Sequence, residues 1–194
     1  YISYTGDNGD GIDLEDRTIF VNRGDIFMEY IDEEGIDMDD DAFFRNRGNI
    51  LISFLEDSDG IDIDDNDNLF ENDGTIVIAY VFDEGEGIEI EDGEFINGPN
   101  GQIFLDFISG DIILLESDGS FENRGVVNIA SSFFGPNSPE APGTAGAEEF
   151  SDLGAISMES NSLFINYNEV NIGTGMPEDS APEIAAIEGP TGAL

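Results

Sequence analysis

The sequence predicts an all-β chain folded as a parallel β-helix, a solenoid whose coils of about 25 residues contain three short strands each. The first observation is a repeated Phe-x-Asn motif, whose first five phenylalanines follow one another at steps of 24, 26, 25 and 26 residues. The second is a short alternation of apolar and polar residues within every repeat. A fixed period of this length is typical of solenoids whose repeats stack on their neighbours. The six motifs begin at Phe20, Phe44, Phe70, Phe95, Phe121 and Phe164.

The first strand of each repeat starts after the Gly that follows the Asn. Its apolar residues alternate, as in Ile50, Ile52 and Phe54 after Gly48. Period two predicts a strand with one buried face. In this prediction the aromatic residue that ends the strand faces the core, so exposed aromatic side chains are scarce. These aromatic residues are Tyr30, Phe54, Tyr80 and Phe107.

The second strand follows an acidic, glycine-rich linker, and the third strand contains the Phe and the Asn. Strands this short, joined by tight turns that leave no room for a crossover helix, are what a parallel β-helix requires. The apolar pairs of the second strand that are predicted to face the core are Ile12 and Leu14, Ile36 and Met38, Ile61 and Ile63, Ile88 and Ile90, and Ile112 and Leu114.

Equivalent residues of successive coils lie about 4.8 Å apart in a parallel sheet, so each column of the repeat becomes a ladder. We therefore expect the six phenylalanines to stack in one internal row. The Asn column is expected to form a buried ladder at a bend, in which each amide bonds to its neighbours and to the turn backbone. The Gly after each Asn is expected to adopt a positive φ angle.

The pattern Gly-Ile-x-Ile followed by Phe-x-Asn-x-Gly-x-Ile, as in residues 60–63 and 70–76, resembles the degenerate repeats of bacterial surface β-helices. These families are the autotransporter passenger domains and the filamentous-haemagglutinin-like adhesins. The resemblance covers about residues 1–130 and 154–173. It implies right-handed coils and an extracellular or cell-surface location. It says little about activity, because members of these families share coils and differ in what they bind.

The chain divides into four predicted segments. Residues 1–133 form β-helix coils that start partway through a repeat, and 153–173 form a final coil. Between them, 134–152 is a Pro-, Gly- and Ala-rich insertion loop, and 174–194 is an extended C-terminal tail. Neither end carries a recognisable capping helix. Two interpretations stay open: a piece of a longer surface protein, or a subunit that stacks head to tail into a fibre.

The charge balance restricts the possible partners. The chain has 45 acidic residues against 5 basic ones, and its net charge is −40. Nucleic acid and anionic membrane surfaces are polyanions, so neither is an expected partner. Membrane insertion is not expected, since no apolar run approaches the roughly 18 residues that a span needs. Lacking Cys and His, the sequence contains no thiolate metal site, no common zinc site and no Ser-His-Asp triad.

The same charge pattern favours cation binding. The polar residues of the second strands are acidic and point outward, so stacked coils set like charges about 4.8 Å apart. Oxygen ligands on flexible loops suit Ca²⁺, and the sharpest match is Asp-x-Asp-Gly-Ile-Asp-x-Asp at 57–64. The alternative is a solvated acidic face, adapted to salty surroundings, with only diffuse cations. The candidate calcium ligands are Asp57, Asp59, Asp62, Asp64, Asp37, Asp39, Asp13 and Glu89.

Other charged residues lie in the linkers and beside the Asn turn. The linkers before the second strands contain further acids, among them Asp10, Glu34 and Glu86. The arginines beside the Asn turn are expected to pair with carboxylates of adjacent coils, and an anion or glycan site is the alternative. These arginines are Arg23, Arg45, Arg47 and Arg124.

Together these observations predict an extracellular structural or adhesive β-solenoid that polymerises end to end into a fibre or surface layer and binds cations at an acidic edge. The alternative is a glycan-binding or polysaccharide-cleaving β-helix, which an exposed groove with clustered aromatic residues would favour. Catalysis is not expected, because the acids lie in regular outward columns and not in pairs whose pKa values are set apart. Ice binding is rejected, since it requires flat, Thr-rich ladders, and the outward columns of this sequence consist of Asp and Glu.

Overall fold

The computed structural model describes residues 1–3, 9–56, 58–65, 67–83, 85–130, 155–159 and 161–172. Asp57, the predicted insertion 134–152 and the predicted tail 174–194 lie outside the described residues. The described part of the chain contains no helix, and so none that could cross a membrane. In chain order the strands are β1 (Ile2–Ser3), β2 (Ile12–Leu14), β3 (Ile19–Asn22), β4 (Asp25–Glu29), β5 (Ile36–Met38), β6 (Phe43–Asn46), β7 (Asn49–Glu56), β8 (Ile61–Ile63), β9 (Leu69–Asn72), β10 (Thr75–Phe82), β11 (Ile88–Ile90), β12 (Glu94–Asn97), β13 (Gln102–Ile108), β14 (Ile113–Leu115), β15 (Ser120–Asn123), β16 (Val126–Ile129), β17 (Ser157–Met158), β18 (Leu163–Asn166) and β19 (Glu169–Ile172).

These strands form three parallel sheets around one apolar core. Sheet 1 has the order β1-β4-β7-β10-β13-β16-β19, sheet 2 the order β2-β5-β8-β11-β14-β17, and sheet 3 the order β3-β6-β9-β12-β15-β18. Consecutive strands therefore belong to different sheets, and each strand pairs with the strand three elements further along the chain. The predicted solenoid with three short strands per coil is confirmed.

The phenylalanine row lies inside the coil on sheet 3, as predicted. Neighbouring rings stack with centroids 4.6–5.5 Å apart. Phe20 and Phe164 are half-buried at the two ends of the row. Phe121 pairs in register with Phe164, so the register continues across the long step in the sequence. The fully buried rings between the ends are Phe44, Phe70, Phe95 and Phe121.

The Asn ladder is also confirmed, at the bend between sheets 3 and 1. Each Nδ2 donates to the Oδ1 of the next coil at 2.8–2.9 Å. The Oδ1 of Asn72 also accepts the Gly74 amide at 3.1 Å, which ties the ladder to the turn backbone. These bonds satisfy polar groups that are removed from water in the inner coils. The ladder consists of Asn22, Asn46, Asn72, Asn97, Asn123 and Asn166.

The glycines after the Asn ladder do not adopt the predicted positive φ angle, so that expectation is wrong. Their role is the close approach of neighbouring coils. A Cβ on Gly48 would lie 2.0 Å from the carbonyl oxygen of Gly24, and a Cβ on Gly74 would lie 2.1 Å from that of Gly48. Real Cβ atoms do not come this close to backbone oxygen, so the bend accepts only Gly in the inner coils.

The aromatic residues that were predicted to end the sheet 1 strands do not face the core, which contradicts the prediction. Tyr30, Phe54, Tyr80 and Phe107 have φ angles of 56–64° and are 36–54% exposed. A left-handed residue turns the chain at this corner, so the residue after the aromatic one points inward. The expected scarcity of exposed aromatic side chains is therefore also wrong. The residues that are buried in their place are Ile31, Leu55, Val81 and Ile108.

Strand β14 differs from the prediction by one residue. Ile113 and Leu115 are buried, whereas Leu114 is half-buried and pairs with the outward Glu89. The Ile88 amide donates to the carbonyl oxygen of Ile112 at 3.2 Å. Ile112 therefore occupies the linker position that Gly fills in the preceding coils, and the strand begins one residue later than its apolar pattern suggests.

Candidate cation-binding site

Two acidic columns run side by side along sheet 2. The first consists of the central, outward residues of the strands, where Asp13 pairs with Asp37 and Asp37 pairs with Asp62. Glu89 follows, since β11 pairs with β8. The second column lies in the linkers. A Gly directly precedes each of the strands β2, β5, β8 and β11, and the acid of this column directly precedes that Gly. Its members are Asp10, Glu34, Asp59, Glu86 and Asp111.

The two columns meet in three overlapping groups, which we call the acidic triads. In each triad the linker acids of two successive coils approach the strand acid of the second coil, and the ligand oxygens lie within 4.8 Å of one another. Two oxygens bound to one Ca²⁺ lie at most about 4.8 Å apart, twice the usual Ca–O distance of about 2.4 Å. Each triad is therefore compact enough for one Ca²⁺. The triads are Asp10, Glu34 and Asp37; Glu34, Asp59 and Asp62; and Asp59, Glu86 and Glu89.

Asp62 is the acid whose surroundings fit a bound cation best. Its Oδ1 atom is buried and has no hydrogen-bond partner among the described residues. Burial raises the pKa of Asp62 to about 9, and the negative charges of Asp64 and Glu89 add to this effect. A buried acceptor without a donor costs about 1–3 kcal/mol. A proton or a cation at this oxygen removes that cost.

Other triad carboxyls are also harder to ionise than in water. Burial raises the pKa of Glu86 to about 9 and that of Glu89 to about 8, and in both the hydrogen bond to Asp59 adds to the rise. Burial likewise raises the pKa values of Glu34 and Asp37 to about 7. Like charges that are gathered away from water have this effect. Binding of protons or metal ions would relieve this crowding of negative charge.

Backbone amides fix the linker carboxylates. The Glu86 amide donates to Asp59 Oδ1 at 2.6 Å, and the Glu34 amide donates to Asp10 Oδ1 at 3.2 Å. Each bond joins one coil to the next, so the stacking of the coils itself positions the acids. These carboxylates keep further lone pairs that can bind a cation.

The triads stop at β14. Leu114 stands at the strand position that carries an acid in the preceding coils. In the linker column, Asp111 Oδ1 accepts a hydrogen bond from Ser157 Oγ at 2.7 Å. A further triad at this level would lack its strand carboxylate.

Comparison of the chain with family models, with curated proteins and with solved structures found no match. The resemblance to bacterial surface β-helices stays a prediction.

The structure brings together half of the predicted calcium ligands. Asp37, Asp59, Asp62 and Glu89 lie in the acidic triads. The outward residues that belong to none of the triads are Asp13, Asp39 and Asp64. Asp39 and Asp64 follow their strands, one outward position beyond the triad acids, and Asp13 is exposed at the end of its column.

Sequence analysis did not include Asp10, Glu34 and Glu86 among the candidate ligands. The available signal is an acidic residue two positions before the second strand in the first five coils, which directly precedes a Gly in the first four linkers. This Gly is buried where coils are in close contact, so the acid before it is fixed beside the start of the strand. A Cβ on Gly35, for example, would lie 2.5 Å from the carbonyl oxygen of Gly60.

The arginines do not neutralise the triads. Arg45 pairs with Glu71 of the next coil, as predicted. Arg124 pairs with Glu122, two residues away on its own coil, so the prediction of a bridge between coils is wrong there. Within the described part of the chain, Arg23 and Arg47 form no ion pair. Both described ion pairs lie on sheet 3, away from the acidic triads.

A second acidic surface lies at the turns between sheets 2 and 3. Its carboxylates are exposed, and the positive charge of Arg17 lies among them. Exposed acids surrounded by water gain little from an ordered cation, so this surface is a weaker candidate than the triads. It is lined by Asp16, Arg17, Asp40, Asp41, Asp65 and Asp67.

Proposed function

We propose that this chain is an extracellular or cell-surface solenoid with a structural or adhesive role, whose acidic triads bind Ca²⁺. The observation that carries the proposal is the central triad, in which Asp62 has a buried oxygen without a donor and lies beside Glu34 and Asp59. The donor set consists of oxygen alone, as Ca²⁺ prefers. Glu34 and Asp59 each belong to two triads, so neighbouring ions would share ligands.

Bound calcium would act as a link between coils. Each triad takes acids from two successive coils, so one ion joins two layers of the solenoid. Two like charges about 4.8 Å apart repel by about 0.9 kcal/mol even in water, and by more near protein. A cation replaces this repulsion by attraction along the whole column. The ion therefore stabilises the stacked coils and takes no part in a reaction.

An extracellular location agrees with this chemistry. Extracellular calcium modules bind their ions at about 10⁻⁴–10⁻³ M, which is within reach of sites that are not fully closed. The acidic triads lie at a half-buried surface and not in an enclosed cage. Outside the cell, such sites would be filled without the high affinity that cytosolic sites need.

End-to-end association is part of the proposal and is supported by the direction of the Asn ladder. Asn46 Oδ1 accepts two hydrogen bonds, from Asn22 and from the backbone amide two residues on. Among the described residues, Asn22 Oδ1 accepts only the bond from the amide of Gly24. At the opposite end, Asn166 Nδ2 donates to a backbone carbonyl of its own coil. Within the described residues, one end of the ladder thus offers an acceptor and the other a donor, the polarity that head-to-tail stacking requires.

Glycan binding is the second candidate, because the structure places aromatic side chains on the surface. A sugar stacks on the open face of an aromatic ring. The rings of Tyr30, Phe54, Tyr80 and Phe107 stack on each other with centroids 4.9–5.1 Å apart, so the inner rings have no open face. This arrangement favours the structural role. No catalytic residue is proposed.

Thermal unfolding tests the calcium proposal. The melting temperature of the chain is measured in chelator, with Ca²⁺, with Mg²⁺ and with NaCl of matched ionic strength. We expect Ca²⁺ to raise the melting temperature well beyond the matched NaCl, because a specific ligand stabilises the folded state by mass action. An equal rise in all salts would show diffuse screening and would overturn the proposal.

A matched pair of variants localises the effect. Asp59→Asn removes a charge shared by two triads and keeps an oxygen that can accept the Glu86 amide. Glu94→Gln removes a charge from the exposed side of sheet 3. We expect Asp59→Asn to abolish most of the calcium-specific stabilisation and Glu94→Gln to leave it unchanged. Equal behaviour of the two variants would contradict the proposed location.

A further inference from the structure

Sheet 1 presents an uncharged surface at its centre, which we call the aromatic face. The outward residues of β7 and β10, up to the corner with positive φ, include no charged side chain, although the chain contains 45 acidic residues. Interfaces between proteins have such a core, depleted of charge and rich in aromatic residues, within a polar rim. These outward residues are Asn49, Leu51, Ser53, Phe54, Thr75, Val77, Ala79 and Tyr80.

The aromatic face consists of two ridges and a groove. The register of sheet 1 aligns bulky residues in one row before the corner and in a second row at the corner. Small side chains, Ser53 and Ala79, line the floor between the rows at the centre of the face, and the charged Glu29 and Asp106 occupy the same floor position on β4 and β13, at the two ends of the groove. A ridge of a partner fits between the two rows. The first row consists of Phe27, Leu51, Val77 and Phe104, and the second of Tyr30, Phe54, Tyr80 and Phe107.

The corner residues are held in a backbone conformation that disfavours them. Their φ angles are 59°, 62°, 64° and 56° in chain order. Bulky side chains rarely adopt the left-handed region, and each such residue costs about 1–3 kcal/mol. Gly or Asn would fit this corner at lower cost, yet an aromatic residue stands there in four successive coils. The strain points to a role for the exposed rings beyond folding.

The stacking of the rings determines which partner they fit. Phe54 and Tyr80 are covered on both sides by neighbouring rings. Their edges are what remains exposed, and the two residues are 36% and 38% exposed. Such edges, with the apolar first row beside them, pack against another apolar surface that has similar ridges and grooves. A flat ligand such as a sugar ring has no open aromatic ring to stack on at the centre of the face.

We propose that the aromatic face binds the aromatic face of a second copy of this chain, so that two solenoids associate side by side. The side chains of both copies repeat at the same spacing of about 4.8 Å along the solenoid axis. When the axes are aligned, a contact made by one coil is therefore repeated by the next. A ridge of each copy then occupies the groove of the other, and one twofold axis relates the two. A partner whose side chains repeat at a different spacing would make this contact at one coil only.

The size of the face suits a weak, reversible dimer. Four strands about 4.8 Å apart and about six residues wide at about 3.3 Å each give roughly 400 Å² per copy, or about 800 Å² in total. This is below the roughly 1,000 Å² of a stable specific interface and in the range of weak, transient encounters. Each copy has a net charge of −40, so repulsion opposes association at low ionic strength. At 1 M salt the screening length falls to about 3 Å, and the dimer is expected to strengthen.

Sedimentation velocity of the chain in chelator tests this proposal, because chelator removes any contribution of calcium. We expect a monomer–dimer equilibrium whose dissociation constant falls at least about tenfold between 0.1 M and 1 M NaCl. The double variant Phe54→Asn and Tyr80→Asn removes both central rings, and Asn tolerates the corner conformation, so the monomer keeps its fold. It is expected to lose the side-by-side dimer at both salt concentrations. Ile19→Asn, which removes an exposed apolar side chain from sheet 3, is the control and is expected to dimerise like the wild type.

The outcomes separate this inference from the others. A wild-type chain that is monomeric at both salt concentrations overturns it, as does a double variant that dimerises like the wild type. Retardation of the wild type by a neutral polysaccharide gel, lost in the double variant, would assign the face to a glycan and also overturn it. End-to-end stacking uses the terminal coils and does not involve the central rings. The double variant therefore leaves end-to-end stacking unchanged. The calcium proposal is untouched by any of these results.

Discussion

Asn72 donates a 2.9 Å hydrogen bond from Nδ2 to Oδ1 of Asn97, one coil further along the solenoid, and both side chains are fully buried. Its own Oδ1 accepts from Asn46 at 2.9 Å and from the Gly74 amide at 3.1 Å. A single amide thus joins three coils. Because the same side chain recurs in every coil, the ladder fixes the register of the solenoid and, with it, the columns that form the acidic triads.

Replacing Asn72 by Ala is expected to lower the free energy of unfolding by about 3 kcal/mol or more, since buried donors and acceptors on both neighbouring coils lose their partner. Urea denaturation followed by circular dichroism measures the loss. Asn49→Ala is the control, because Asn49 is an exposed amide whose removal should change stability by no more than about 0.5 kcal/mol. Similar losses in both variants would contradict the role assigned to the ladder.

The inner and outer aromatic rows are expected to differ in their contribution to stability. Phe95→Ala removes a fully buried ring and should cost about 3–5 kcal/mol. Phe54→Gly removes an exposed ring, and the lost stacking of about 0.5–1.5 kcal/mol per pair is offset by relief of the strained φ angle. The net change should stay within about 1 kcal/mol. Denaturant unfolding of the two variants compares them, and a large loss in Phe54→Gly would show that the outer row is a structural element.

The glycines of the bend offer a test of close approach between coils. Gly74→Ala places a Cβ 2.1 Å from a backbone oxygen of the preceding coil, so it should destabilise the fold by about 1–3 kcal/mol or more. A Cβ on Gly24 would meet nothing within 4 Å, and Gly24→Ala should be nearly neutral. Thermal melts of the two variants provide the comparison. Equal effects would indicate that φ preference, and not space, decides these positions.

In chelator, the stability of the chain is expected to fall as the pH rises. The folded-state pKa values of Asp62, Glu86 and Glu89 are raised to about 9, 9 and 8, whereas unfolded carboxyls titrate near pH 4. Between these limits the folded state binds more protons than the unfolded state, so its stability decreases with increasing pH. The contribution is fully present below about pH 4 and is lost by about pH 9.

Urea denaturation across this pH range measures the slope. Asp62→Asn should flatten it, because the amide cannot ionise, and saturating Ca²⁺ should flatten it as well, because the ion stabilises the carboxylates. Stability that rises with pH over the range in chelator would contradict the raised pKa values and the crowding of charge that causes them.

The sequence was sufficient to predict the three strands of each coil, apart from the start of β14, and the two internal ladders. The Phe-x-Asn motif recurs at nearly constant steps, and period two within each repeat shows which residues face the core. Register follows from these two patterns, because a parallel coil stacks each residue on its equivalent. The outward acids of the second strands, Asp37, Asp62 and Glu89, follow directly from the same rule.

The corner of sheet 1 was not predictable by alternation. A strand that continued to Phe54 would bury the ring, but a positive φ angle turns the chain there and buries Leu55. Aromatic residues rarely adopt this conformation, so the alternation rule gave the wrong face. A signal was available, since in four repeats an apolar residue directly follows the aromatic one, as Val81 follows Tyr80, and breaks the alternation.

The linker side of the candidate site required the structure. Glu34 and Glu86 stand in irregular segments, where neither period two nor repeat spacing shows how close a side chain lies to the strand acids. Their positions follow from contacts between coils at the adjacent buried glycines, Gly35 and Gly87. These contacts depend on the path of the backbone, which the sequence pattern does not specify.

Isothermal titration calorimetry of calcium binding at neutral pH, in two buffers of different ionisation enthalpy, tests the central claim most directly. We expect saturable binding with release of protons, because calcium ions in two neighbouring triads must displace protons from the carboxyls of Asp62, Glu86 and Glu89, whose pKa values are raised to about 9, 9 and 8. Asp59→Asn should weaken the binding and Glu94→Gln should not. Heats that do not saturate, or binding that is independent of buffer and unchanged in Asp59→Asn, would contradict the assignment of the acidic triads as calcium sites.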